Sequence, residues 1–361
     1  MCLFPKLIKN KKYSPNRKNK GVVPEIKDER TLYVPVGCGK CMECMKQKKR
    51  LWQVRMLEEI KANRNGVFVT LTFNNESLIK LEKDIEIKNS KAIIENEVAT
   101  LAVRRFLERW RKKFKVSVRH WLVTELGHIN TERIHLHGVI FTDEIRYIVK
   151  LWQYGHVTIG KTMFKNEDWE NANSNTSYVN GKTINYIVKY INKIDVDHKG
   201  YIPKILRSKG IGNNYLKGYN SERNKFNGKN TREFYITEQG YKINLPIYYR
   251  NKIYNDDERE KLWLNKLDGG KRFVCGEMVK DNDEKNYFKL LDYYRKENSR
   301  LGYGDDSKEW SRDAYLSQKA ALKGLRNLNK NKDKINKLLK DREIRNSDLD
   351  LRSNREKNEF L

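Results

Sequence analysis

At 361 residues the chain is long enough for one large domain or two ordinary ones and needs no disulfide staples to fold. Lysine and arginine outnumber acids 75 to 47, a net charge of +28 with pI near 9.7, so phosphate-rich partners are expected. No stretch approaches ~18 apolar residues, and Met1-Cys2-Leu3-Phe4-Pro5-Lys6 lacks an apolar signal core, which disfavours a membrane span and a secretory leader and predicts a soluble, cytosolic protein.

Residues 1–66 form a basic segment with Cys2, Cys38, Cys41 and Cys44, ending in a predicted helix over Met42 to Asn65, with Gly66 as its stop. Five cysteines is an odd count, and three within seven residues argue against a secreted disulfide framework. Val67-Phe68-Val69-Thr70-Leu71-Thr72-Phe73 is a β-branched and aromatic run typical of a buried strand. Residues 97–115 carry Val103, Phe106, Leu107, Trp110 and Phe114 on one helical stripe, with Arg104, Arg105, Arg109, Arg111, Lys112 and Lys113 mainly elsewhere around the helix.

Two strands follow, 117–124 and 133–141, joined by a polar turn at 127–132, and an antiparallel hairpin is the simplest connection. A second helix is expected over Thr183 to Ile194. Beyond about residue 265 the chain is highly charged, with helices expected near 284–297 and 312–340 and weak order in the last twenty residues. The expected division is an N-terminal segment 1–66, a catalytic domain 67–265 and a charged, mostly helical or partly disordered extension 266–361. The fold class is α+β, with a central antiparallel sheet flanked by helices.

His135-Leu136-His137 lies in the second hairpin strand, where residues i and i+2 share a face, so the two imidazoles point together. A hairpin centred near residue 130 sets Glu125 opposite His135 and brings a carboxylate to the same cluster. Such a site suits Mg²⁺ or Mn²⁺ with open positions for phosphate oxygens, and two imidazoles would also accept zinc. His120, an odd step from Glu125, should face the other side; it and His128, His156 and His198 are read as structural or surface residues.

In the second helix Ile184, Ile187, Val188 and Ile191 make the core stripe. Tyr186 and Tyr190 fall about 40° apart and well over 90° from that stripe's centre, so neither is a core aromatic by position. Lys189 and Lys193 share the polar side, where they can steady phosphate. A tyrosine attacking phosphorus would keep the 5′ phosphate as a phosphotyrosine and release a 3′ hydroxyl, conserving the bond energy for rejoining.

At these residues the sequence resembles the HUH endonucleases, and among them the replication initiators of microviruses, small circular single-stranded DNA bacteriophages. His135-Leu136-His137-Gly138 matches the HUH motif, Thr70-Leu71-Thr72-Phe73 the first strand motif, and Tyr186-Ile187-Val188-Lys189-Tyr190 with Ile191-Asn192-Lys193 the two-tyrosine motif. Glu125-Leu126-Gly127 is similar to the acidic element that gives some members a third metal ligand. Cys38-Gly39-Lys40-Cys41-Met42-Glu43-Cys44, Gly210-Ile211-Gly212 and Leu245-Pro246-Ile247-Tyr248-Tyr249 are also similar to segments of these phage proteins, and the likeness spans roughly 1–265. Ile134 stands where many relatives have proline, and Phe73 where tyrosine is frequent. The resemblance implies a sheet of about five strands and nicking of the plus-strand origin to start rolling-circle replication, then closure of the displaced circle. It also implies two tyrosines alternating as nucleophile, host helicase and polymerase as partners, and the host bacterial cytoplasm as location.

Cys38, Cys41 and Cys44 can bring three thiolates to one ion, with Cys2 as fourth ligand and Cys275 or a histidine as substitutes; structural zinc and free thiols are the alternatives. Single-stranded DNA contacts are expected from Arg104, Arg105, Arg109, Lys193 and Lys209. They are also expected from the 201–232 segment, where Tyr201, Tyr215, Tyr219 and Phe226 interleave with bases. The rival readings are a non-catalytic zinc-containing DNA-binding protein and an HUH relaxase or transposase.

Overall fold

The computed structural model describes residues 2–85, 91–127, 133–172, 178–193, 201–280 and 282–305, with 331, 335 and 336 beyond; side chains of 91–94 are not included. By contact the chain divides into one unit of 1–82 and 87–306 and another of 83–86 and 307–361, and the elements that build the site belong to the first. His128, His198, most of the 127–132 turn and most of the expected 312–340 helix lie outside the described residues.

In chain order the elements are β1 (Lys6–Lys9), β2 (Tyr33–Val36), α1 (Met42–Ala62), β3 (Gly66–Leu71), α2 (Asn75–Lys83), α3 (Lys91–Phe114), β4 (Arg119–Leu126) and β5 (Ile134–Phe141). Then come α4 (Ile145–Leu151), β6 (Val157–Ile159), β7 (Thr162–Phe164), α5 (Gly181–Ile187), β8 (Ile205–Arg207), α6 (Tyr219–Glu222), β9 (Phe234–Ile236) and β10 (Lys242–Asn244). The chain continues through α7 (Ile247–Ile253), α8 (Asp256–Asp268), β11 (Lys271–Val274), β12 (Glu277–Lys280) and α9 (Glu284–Arg300). No helix among the described residues is long and apolar enough to cross a membrane.

The α+β class holds, and among the described residues the central sheet is antiparallel with six strands in the order β7-β6-β3-β5-β4-β8, one more than the expected five or so. The added edge strands are three residues each, too short to show an alternating pattern in sequence. Gly66 opens β3 rather than stopping α1, which ends at Ala62. A β-carbon on Gly66 would lie 2.9 Å from the Phe141 ring, and its carbonyl accepts from Val179 N at 2.8 Å.

Side-chain alternation divides the sheet into two faces with different covers. Ile134, Leu136 and Ile140 point one way with Leu122 and Thr124, and α3 lies there: Thr124 Oγ1 donates to Asn96 Oδ1 at 2.7 Å. His135, His137, Val139 and Phe141 point the other way with Trp121 and Val123, where Met56 of α1 and Ile184, Ile187, Val188 and Ile191 close the core.

α1 is locked to the loop after β8 by a buried polar clamp. Glu59, fully buried, accepts from Arg119 Nη2 at 2.8 Å, Gly212 N at 2.6 Å and Asn63 Nδ2 at 2.7 Å. Arg55 donates to the Ile211 carbonyl at 3.0 and 2.8 Å, and Tyr249 donates to the Gly212 carbonyl at 2.7 Å. Gly212 has φ +73°, and a β-carbon there would lie 2.5 Å from the Arg55 carbonyl oxygen. The Gly210-Ile211-Gly212 and Tyr248-Tyr249 segments are therefore explained by packing: they set the position of α1, which in turn supports α5.

Candidate metal and tyrosine site

The β4–β5 register pairs Glu125 with His135 and Val123 with His137, as the hairpin expectation required. Glu125 Oε2 lies 3.1 Å from His135 Nε2 and 2.7 Å from His137 Nε2, and the imidazole centroids are 4.8 Å apart. The other carboxylate oxygen takes the Lys193 ammonium. Burial pushes the Glu125 carboxyl up, but hydrogen bonds from His135, His137 and Lys193 outweigh it and hold the group well below the usual carboxylate range.

Each imidazole is oriented through its other nitrogen. His135 Nδ1 lies 3.2 Å from the Arg133 carbonyl, which can only accept, so Nδ1 carries hydrogen; Thr70 Oγ1 lies 3.0 Å from His137 Nδ1. Burial pushes the His137 imidazolium pKa down despite the Glu125 contact, favouring the neutral ring. Nε2 lone pairs then converge on a carboxylate oxygen, which calls for a cation among them. The three ligand atoms lie within 4.8 Å of one another, so the residues present fit a divalent ion.

α5 begins at Gly181, capped by Asn180 Oδ1 accepting from Thr183 N at 3.0 Å, and at Val188 tightens to a 3₁₀ turn through Ile191. A 3₁₀ step turns ~120° against ~100° in an α-helix, which carries Tyr190 toward the core stripe. This corrects the expectation for Tyr190, which is only 9% exposed and stacks on His137 with centroids 4.2 Å apart and planes 13° from parallel. Tyr186 keeps the expected outward position at 46% exposure, and its hydroxyl lies 2.9 Å from that of Tyr190. Lys189 Nζ sits 3.8 Å from the Tyr186 ring centroid. Burial and the Tyr186 hydroxyl push the Tyr190 phenol up.

Residues 66–195 match a family model of replication-associated proteins of the ORF2 type. That span is roughly a third of the chain and contains Glu125, His135, His137, Tyr186 and Tyr190 together. No curated protein and no solved structure matches the chain.

The structure also shows what sequence reading passed over. Phe68 stacks near His137 and meets Tyr186 edge-on with centroids 6.0 Å apart, and Thr70 holds His137; both stand at alternate positions of β3, the one available signal. Among the expected DNA contacts, Lys193 reaches the cluster, while Arg104, Arg105 and Arg109 ride on α3, which covers the opposite face of the sheet. Arg109 is committed to packing: Nε donates to the Leu151 carbonyl at 2.9 Å and Nη1 to Tyr154 at 3.2 Å. Lys209 is exposed, with its carbonyl accepting from Arg119 at 3.4 Å. Tyr215 is a core residue with Phe226 packed against its cluster, whereas Tyr219 is 72% exposed. His120 is buried and bonded to the Val118 carbonyl and Ser208, as a structural histidine should be.

A second cluster gathers Cys2, Cys38, Cys41 and Cys44, whose sulfurs all lie within 4.8 Å of one another; Cys275 is outside that group. Cys2–Cys41 and Cys38–Cys44 are 3.8 and 4.0 Å apart. Main-chain N–H groups point at the sulfurs: Phe4 and Cys38 at Cys2 (3.3 and 3.2 Å), and Lys40 and Cys41 at Cys38 (3.5 and 3.3 Å). A β-carbon on Gly37 would lie 2.9 Å from Cys44 Sγ, so that position needs glycine.

Proposed function

We propose that the protein is a metal-dependent single-strand DNA endonuclease and strand transferase that initiates rolling-circle replication of a phage genome. The observation that carries this reading is the stacking of Tyr190 on His137, with the Tyr186 hydroxyl 2.9 Å from its own, beside the Glu125–His135–His137 cluster. The family match over 66–195 supports the replication role.

Glu125, His135 and His137 would hold Mg²⁺ or Mn²⁺, which when bound polarises the scissile phosphate. One tyrosine oxygen attacks phosphorus, forming the 5′-phosphotyrosine bond as the bond to the 3′ oxygen breaks, and the released 3′ hydroxyl later reverses the step. Lys189 lies against both rings and Lys193 against Glu125, where ammonium groups balance phosphate charge. Two adjacent hydroxyls allow one to stay bonded to the old strand end while the other cleaves the new one.

Incubation with Mn²⁺ or Mg²⁺ and labelled single-stranded origin DNA should give a denaturation-resistant protein–DNA adduct, absent with EDTA. A well-folded preparation that forms none on any cognate strand would defeat the enzyme reading.

We further propose structural zinc at the four cysteines. A tetrahedral ion with Zn–S bonds of about 2.3 Å needs sulfurs about 3.8 Å apart, which the closest pairs approach, and the converging N–H groups favour thiolates. Protein purified without added metal should carry close to one zinc per chain by elemental analysis; a zinc-free folded protein would exclude the site.

A further inference from the structure

An open cavity of about 1190 Å³ lies away from the tyrosines, between β1, the first half of α1, the β9–β10 hairpin, α7, α8 and β11. It is larger than the ~300–1,000 Å³ of ordinary small-molecule sites, which favours a length of polymer over a metabolite. Among the described residues its wall carries five cations, Arg50, Arg250, Lys266, Lys271 and Arg272, against one carboxylate, Glu233. That carboxylate is already engaged by Arg250 and, at 3.1 Å, by Lys266. The positive charge is therefore in surplus, and a polyanion is the complementary occupant.

Between the cations stand aromatic surfaces. Phe234, Trp263 and Phe273 line the cavity, Phe273 is 45% exposed, and the Trp263 indole N–H is buried with no acceptor among the described residues. Cations for phosphate interleaved with rings for bases is the composition that holds single strands without reading their sequence.

The cavity also has a direction. Ile243 of β10 lines both it and a second cavity of about 750 Å³, whose wall includes Asn180, Lys182 and Asn185. Asn180 caps α5, and Asn185 precedes Tyr186. The two cavities form one track from the tyrosine helix over the β9–β10 hairpin to the basic chamber.

We infer that this track binds single-stranded DNA flanking the nick, with the basic aromatic chamber as its holding site. The assignment to the flanking strand rests on the nuclease reading; the affinity of the chamber for a single strand does not. The test uses the full chain, no divalent ion, and fluorescein-labelled oligo(dT) of about 25 nucleotides, read by anisotropy.

Arg50→Ala with Lys271→Ala should weaken binding at least tenfold and lower the salt slope by about 1.4, since each single-strand phosphate contact contributes about 0.7. Phe273→Ala should weaken it about 5- to 100-fold with little change in slope. Lys161→Ala with Lys165→Ala, which removes the same charge at the β6–β7 edge, should change affinity less than about twofold. The inference is overturned if the cavity pair loses no more than that control pair, or if an RNA of equal length binds the wild type more tightly. Because nothing is cleaved in this assay, failure to form an adduct elsewhere would count against the nuclease reading and leave this result standing.

Discussion

Changing Tyr186 and Tyr190 together to Phe is expected to abolish the covalent DNA adduct, lowering its rate of formation by at least about 10⁴-fold, the scale on which loss of a nucleophile acts. Stability should stay within about 0.5 kcal/mol of wild type. The two hydroxyls bond to each other at 2.9 Å, so removing both leaves neither donor nor acceptor unpaired between them. Both rings remain, keeping the stack on His137 and the edge contact with Phe68. Adduct yield on origin DNA, read beside a denaturant melt, separates chemistry from folding. A double variant that still forms adduct would place the nucleophile elsewhere. Single variants then identify the first attacker: Tyr186 is open to a strand from solvent, whereas Tyr190 lies against the proposed metal ligands.

Gly138→Ala is expected to destabilise the protein by about 4 kcal/mol or more and to leave most of it insoluble. A β-carbon at Gly138 would lie 2.1 Å from the Trp121 carbonyl oxygen and 2.7 Å from Leu122 Cα, both main-chain atoms of the paired strand. Neither can retreat without opening the β4–β5 ladder, and that ladder sets Glu125 opposite His135. The glycine that follows the two histidines is thus required by strand packing. Gly181→Ala is the comparison, because its β-carbon would meet only Leu57 Cδ2 at an ordinary 3.6 Å, and it should cost less than about 1 kcal/mol. Denaturant midpoints for the two variants decide the matter: a Gly138→Ala protein melting within about 1 kcal/mol of wild type would show that the strands can part to admit a methyl group.

Local period carried much of the candidate site in the sequence itself. Alternation along β5 puts His135 and His137 on one face, a turn centred near residue 130 brings Glu125 opposite His135, and the stripe of Ile184, Ile187, Val188 and Ile191 fixes which side of α5 meets the sheet. The short spacing of Cys38, Cys41 and Cys44 likewise gathers three thiols with little help from the rest of the chain. These are relations over a few residues, set by the geometry of strand, turn and helix.

Relations over long separations were decided only by the tertiary structure, because nothing periodic encodes which face meets which. Cys2 joins the other cysteines across more than thirty residues of chain, and the C-terminal α9 reaches back to the same corner, with Arg295 Nε donating to the Leu3 carbonyl at 3.0 Å and Asn298 Oδ1 accepting from Met42 N at 2.8 Å. α3 covers the sheet face away from the histidines, which turns Arg109 from an expected DNA contact into a tether for Leu151 and Tyr154. Tyr190 is buried because its helix tightens at Val188 against the sheet, a change of pitch imposed by packing that a regular ~100° wheel cannot show. The sequence determined which side chains share a face; contacts between distant segments decided what each face is pressed against.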